Sequence, residues 1–172
     1  MTQPPRTSRR PARNPPAGAG DEAVEHDGSV LEQLFGNPDF LIRRAHQLAT
    51  AAFSEACADL DLTASQFSAL VALRQREIVS QNELGRLIAL DRSTTSIVLK
   101  SLRERALVHA QADEADRRKT LLSLTDAGRL MLAKAEKRAS KGNAAFLARL
   151  GEDESAQFLA MLRRLAKAPG TD

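Results

Sequence analysis

The stretch QNELGRLIALDRSTTSIVLKSLRERALVHAQADEADRRKTLLSLTDAG, residues 81–128, decides the fold. Leu84, Leu87 and Ile88 fall on one side of a short helix. After a turn at residues 90–91, Val98, Leu99 and Leu102 line one side of a second helix, and Ser93, Thr94, Ser96 and Lys100 line the other. Two strand-like runs, residues 108–111 and 120–124, bracket a charged tip at 113–119. The order is helix, turn, helix, hairpin.

That order is the layout of a winged helix-turn-helix, whose second helix enters a DNA major groove. Formal net charge is only +3 over 172 residues. Residues 92–119, however, hold seven Lys or Arg (Arg92, Lys100, Arg103, Arg105, Arg117, Arg118, Lys119) against four acids (Glu104, Asp113, Glu114, Asp116). A basic surplus confined to the second helix and hairpin is what a duplex-binding surface needs. Such a run can equally be a solvated face.

With 42% hydrophobic residues the chain can build one domain with its own core. Cys57 is the only cysteine, which rules out an intramolecular disulfide and a cysteine zinc cluster. No apolar run approaches the roughly 20 residues of a membrane span, and no apolar signal core follows the N-terminal arginines. A cytoplasmic protein with no membrane partner is expected. HExxH, GxSxG, P-loop and GxGxxG patterns are absent and His26, His46 and His109 are scattered, so no enzyme, cofactor or metal is expected.

Residues 1–29 carry five of the seven prolines, Arg6, Arg9, Arg10 and Arg13, then Asp21, Glu22, Glu25 and Asp27. With almost no apolar side chains they read as a disordered arm, inert or touching DNA phosphates. Residues 30–172 read as one domain. A first helix starts after Asn37-Pro38 and runs to about residue 59, with Ile42, His46, Ala49, Phe53, Ala56 and Leu60 on one stripe. Thr63 with Gln66 forms a capping box for the next helix, Ser80 with Glu83 repeats that signature, and Asp91 caps the fourth. Thr125 or Asp126 opens a long helix to about residue 150, bent at Gly142, and a last helix over 153–167 aligns Phe158, Met161, Leu162 and Leu165. The apolar stripes of these end regions exceed what a small central core covers, which points to pairing with a second copy of the chain.

Three pieces then fall in a familiar order: Leu62-Thr63 with Gln66-Phe67, the run LIALDRSTTSIVLKSLRERALV (87–108), and Asp116-x-Arg118 followed by TLLSLTDAG (120–128). Over residues 39–167 the chain resembles the MarR-type bacterial transcription regulators. The resemblance implies a mainly α fold with a small β-hairpin wing, a winged-helix core at about 62–125, and dimerisation through N- and C-terminal helices at about 38–60 and 126–168. It implies a homodimer on double-stranded DNA with an inverted-repeat operator, acting as a repressor that a small molecule releases. It turns Ser93, Thr94, Ser96 and Lys100 toward the major groove, with Ile97 offering a thymine-methyl contact where the family commonly carries a polar residue. Arg92 and the wing residues Asp116, Arg117, Arg118 and Lys119 complete the expected DNA contacts. Arg118 would reach the minor groove or its phosphates, held by a charge-assisted bond from Asp116. Ala106 stands where the family usually has Gly; a left-handed backbone there costs alanine about 1 kcal/mol.

His46 interrupts the stripe between Ile42 and Phe53, with Arg43 about 60° round the helix. It is either a satisfied core histidine or part of an effector site. Arg43, His46 and Phe53 would supply a cation for a carboxylate, a donor for a hydroxyl and an apolar wall. The run FLIRRAHQ (40–47) is similar to family members that govern aromatic-acid and hydroxynicotinate catabolism, which implies a small aromatic carboxylate as effector. Cys57 reads as a buried structural thiol, with redox sensing by a peroxide as the alternative. A winged helix used only to dock another protein is the remaining alternative; an apolar or acidic second helix would mark it, and here that helix is polar and basic.

Overall fold

Short-range hydrogen bonds set where the helices begin. The computed structural model describes residues 27–114, 116 and 119–166. Contacts divide the chain into an N-terminal unit that ends at Phe40 and a main body that begins at Leu41. The N-terminal unit contains α1, Asp27–Phe35, whose Leu31, Leu34 and Phe35 are exposed, and the start of α2, Pro38–Ala56. The Asp39 N–H donates to Asn37 Oδ1 at 2.9 Å, so Asn37 caps the helix that Pro38 opens. Residues 27–29 therefore belong to a helix rather than to the expected arm; residues 1–26 lie outside the described residues.

In the main body α2 ends at Ala56, four residues short of the expected 38–60 helix. Cys57 leads into a 3-10 turn, Ala58–Leu60, closed by Asp61 in the left-handed region (φ 46°). Contacts from distant residues hold this turn. Arg138 reaches Asp59 at 2.8 Å, and Arg105 donates to the Leu60 and Asp61 carbonyls.

The expected N-caps form, although of the two expected capping boxes only the one at Thr63 is complete; at Ser80 the hydroxyl accepts from the Glu83 N–H alone. For α3 (Ala64–Arg76) the Thr63 hydroxyl accepts from Gln66 N–H and Gln66 Oε1 accepts from Thr63 N–H, a complete capping box. Ser80 caps α4 (Gln81–Leu87), Asp91 caps α5 (Arg92–Glu104), and Thr125 caps α6 (Asp126–Leu147). Two strands, β2 (Val108–Ala112) and β3 (Thr120–Leu124), make the hairpin, with Ala110 opposite Leu122. A third, β1 (Val79–Ser80), pairs antiparallel with β3, so the order is β1-β3-β2. Two residues are too few to show the alternation that marks a strand in sequence.

The core lies where α3, α4, α5, the sheet and the first turns of α6 meet, around Leu70, Leu73, Leu84, Leu102, Leu122 and Leu132. A smaller cluster of Phe53, Cys57 and Ala139 packs α2 on α6, with the Phe53 and Phe67 rings 5.4 Å apart. Helix α6 runs on through Gly142. A Cβ there would sit 2.8 Å from the Ala52 carbonyl oxygen, so the glycine lets the α6 and α2 backbones cross closely. Last comes α7, Glu152–Ala166; Lys167 lies outside the described residues. Among the described residues no helix is long and apolar enough to cross a membrane.

Candidate nucleic-acid interface and effector groove

The two central helices meet at Gly85. A Cβ on it would lie 2.9 Å from Thr95 Oγ1 and 3.2 Å from the Leu90 carbonyl oxygen, so α5 can dock only on a bare backbone. Thr95, buried in this contact, donates its hydroxyl to the Asp91 carbonyl at 2.7 Å. Asp91 accepts from the Thr94 N–H (2.9 Å) and the Thr94 hydroxyl (2.6 Å). Those bonds, the hydroxyl first, hold the Asp91 carboxyl below the usual carboxylate range. The start of α5 is thus locked before any ligand arrives.

What that helix presents outward is Arg92, Ser93, Ser96, Ile97 and Lys100, all exposed, with Ile97 at 67%. Thr94 is half-buried and its proton is committed to Asp91. The Ser96 hydroxyl donates to the Arg92 carbonyl (2.9 Å) and accepts from Gln81 Nε2 (2.7 Å). Gln81 was not visible as a site residue, nor were Asn82 and Arg86. With Arg92 they line a cleft of about 250 Å³ between α4 and α5. Their only signal is position in the helix before the polar one.

Lys100 pairs with Glu104 at 3.9 Å. Arg105, in contrast, turns inward to the Leu60 and Asp61 carbonyls and is a structural residue. At the wing the Asp113 N–H donates to the Lys119 carbonyl (3.0 Å), and the Lys119 N–H to the Asp116 carbonyl (2.8 Å). Lys119 Nζ lies 3.9 Å from Asp116 Oδ2. Arg117 and Arg118, and with them the expected Asp116–Arg118 bond, lie outside the described residues.

A groove of about 490 Å³ runs between α2 and the facing ends of α6 and α7. Leu41, Ile42, Ala45 and Ala49 line one side, Phe146, Phe158 and Leu162 the other, and His46 is its one ring nitrogen donor. The Phe146 and Phe158 rings are 6.3 Å apart. Of the expected effector residues, His46 stands on the wall. Arg43 is exposed one turn back on α2 and outside the lining. Phe53 is 6% exposed in the cluster with Cys57 and Ala139, so it supports the groove from within the core instead of lining it. A second groove, about 550 Å³, separates α3 from the end of α4, with Phe67, Val71 and Leu87 apolar and Arg76 at its rim.

Cys57 is 1% exposed, and burial first, then Asp59, pushes its thiol up against the opposing pull of Arg138. A buried thiol held in its protonated form is a poor peroxide target. Among the described residues no group of three or more His, Cys, Asp or Glu is placed to hold a metal.

Helix, turn, locked polar helix and hairpin define a winged helix-turn-helix. Residues 60–119 match the MarR family. A probable transcriptional regulator from Pseudomonas aeruginosa is 36% identical with a TM-score of 0.72, over 77% of this chain and 98% of that one. BpsR of Bordetella bronchiseptica, solved in work on regulation of its DNA binding by 6-hydroxynicotinic acid, is 32% identical with a TM-score of 0.69, over 74% and 96%. The transcriptional repressor NicR of Pseudomonas putida is 39% identical over 92 residues, which is 54% of this chain but only 58% of NicR. The chain belongs to the MarR family.

Proposed function

We propose that the protein is a homodimeric, cytoplasmic transcriptional repressor that binds an inverted-repeat operator and is released by a small hydroxylated aromatic carboxylate. One observation carries the DNA reading: α5 is locked by Asp91 and Gln81 while it exposes Arg92, Ser93, Ser96, Ile97 and Lys100 on one face. These residues and Thr94 contact the major groove. Asp116, Arg117, Arg118 and Lys119 act from the wing, with Asp116 orienting Arg118. Similarity to NicR, a repressor by name, and to BpsR supports this reading.

Exposed Met161 and Leu165 on α7, which do not line the effector groove, supply apolar surface for pairing with a second copy. Two symmetric α5 helices then read half-sites about one helical turn apart, ~10 bp. The effector lies beside His46, between the rings of Phe146 and Phe158 and the apolar wall of α2, and its carboxylate would have to extend out of the groove to meet Arg43, which stands outside the lining. To release DNA it must prefer a dimer whose α5 helices are spaced wrongly for successive grooves.

Fluorescence anisotropy with the duplex immediately upstream of the gene tests both halves. Binding should weaken steeply with salt and on adding 6-hydroxynicotinate or a hydroxybenzoate. His46→Ala should keep DNA binding and lose the response. An unchanged response in His46→Ala would move the effector out of this groove, the α3–α4 groove being the next place to test. A wild-type dimer that ignores duplex DNA at low salt would end the regulator reading.

A further inference from the structure

The C-terminal half of α5 and the first strand of the hairpin enclose a polar groove of about 480 Å³ that none of the contacts assigned above uses except through Lys100. It is lined by Lys100, Arg103 and Glu104 from α5 and by Val108, His109 and Ala110 from β2. Val108 is buried and forms its floor, while Lys100, Arg103, Glu104 and His109 are exposed at its mouth. β2 is an edge strand, so nothing in the sheet covers this side. We propose that this groove seats a backbone phosphate of the DNA, held by Lys100, Arg103 and His109, an inference that rests on the DNA-binding reading above.

The reason is geometric. A module that puts a helix in the major groove and a hairpin at the adjacent minor groove must straddle the sugar-phosphate strand that separates the two grooves. That strand passes over the surface between helix and hairpin, which here is this groove. At about 100° per residue Lys100 and Glu104 continue the stripe of Ser93 and Ile97, and Arg103 flanks it, so the groove is continuous with the reading face. Arg103 offers a fork of donors suited to phosphate oxygens, and an imidazole N–H donates in either protonation state. Glu104, 3.9 Å from Lys100, is the group out of place. It holds the lysine while the site is empty and opposes the phosphate when it arrives.

The donors and the carboxylate therefore predict opposite signs. With fluorescence anisotropy on the upstream duplex and on an unrelated duplex of equal length, Arg103→Ala and His109→Ala should each weaken binding to both about threefold to tenfold near 0.1 M salt. Arg103→Ala should also reduce the slope of log affinity against log salt by about one. Glu104→Gln should tighten both duplexes several-fold. These side chains are exposed, so melting temperatures should match wild type, and Arg103→Gln repeats the test with the stem kept. Affinities of all the variants within twofold of wild type would overturn the phosphate seat, as would weakening confined to the upstream duplex. A wild-type protein that binds neither duplex fails one step earlier, at the regulator reading itself.

Discussion

The Arg105 guanidinium donates to the Leu60 carbonyl oxygen at 2.9 Å, across 45 residues of sequence. It also reaches the neighbouring Asp61 carbonyl. The end of the reading helix is thereby tied to the turn that follows α2, and Asp59 of that turn is tied in turn to Arg138 on α6 at 2.8 Å. Helices assigned to pairing and the helix assigned to DNA meet at these three turn residues. Gln66 adds a second tie, donating from α3 to the Ser101 hydroxyl at 2.9 Å.

Arg105→Ala should lower stability by about 1–2 kcal/mol, because two carbonyls lose a charged donor at a half-buried site. Arg105→Lys should recover part of the loss, since an ammonium supplies donors without the fork. Urea unfolding followed by circular dichroism measures both; an unshifted midpoint in the alanine variant would remove this tie from the account.

Ala106 follows α5 with φ 53°, the left-handed conformation expected at that position. Ala106→Gly relieves that strain but loosens the unfolded chain, so a net gain of about 0.5–1 kcal/mol is expected. A thermal melt that falls on substitution would show that the alanine methyl contributes more than its backbone costs.

Gly142→Ala should destabilise by about 1–3 kcal/mol, since its Cβ would press on the Ala52 carbonyl 2.8 Å away and force two helix backbones apart. Gly151→Ala is the control: its Cβ would meet only the Glu154 side chain, at 3.5 Å, and stability should barely change. Equal effects from the two, compared by denaturant midpoints, would contradict the close α2–α6 crossing.

Cys57 should resist alkylation by iodoacetamide in the native protein and react on unfolding. Its folded thiol titrates above the ordinary value, so the folded state binds more protons than the unfolded one once pH passes about 8.5. Stability from this site is full below that pH and falls as pH rises through the raised value. Comparing wild type with Cys57→Ala across that window isolates the effect. Rapid native alkylation, or DNA release by peroxide that Cys57→Ala abolishes, would restore the redox alternative.

Much of the fold is legible locally. Thr63 with Gln66, Ser80, Asp91 and Thr125 each cap a helix through a bond spanning three residues, so neighbouring letters suffice to read them. Apolar spacing at Leu70, Leu73, Val98, Leu99 and Leu102 marks the buried faces in the same way. The polar stripe of α5 follows as their complement. Periodicity names a face but not what lies against it. Phe53 and His46 share one stripe of α2, yet only packing against Phe67 and Ala139 puts the first in the core while the second stays in a groove. Arg103 and Arg105 look alike as letters two apart. The helix turn between them sends one to the groove beside β2 and the other to the Leu60 carbonyl. The sequence by itself determined the helices, their caps and the winged helix-turn-helix order, because those depend on interactions within a turn or two. Only the tertiary structure decided the partners of Arg105, Gln81 and Arg138 and the pairing of β1, because these contacts join residues from 15 to 79 positions apart and no local pattern encodes which distant group will fill a given face.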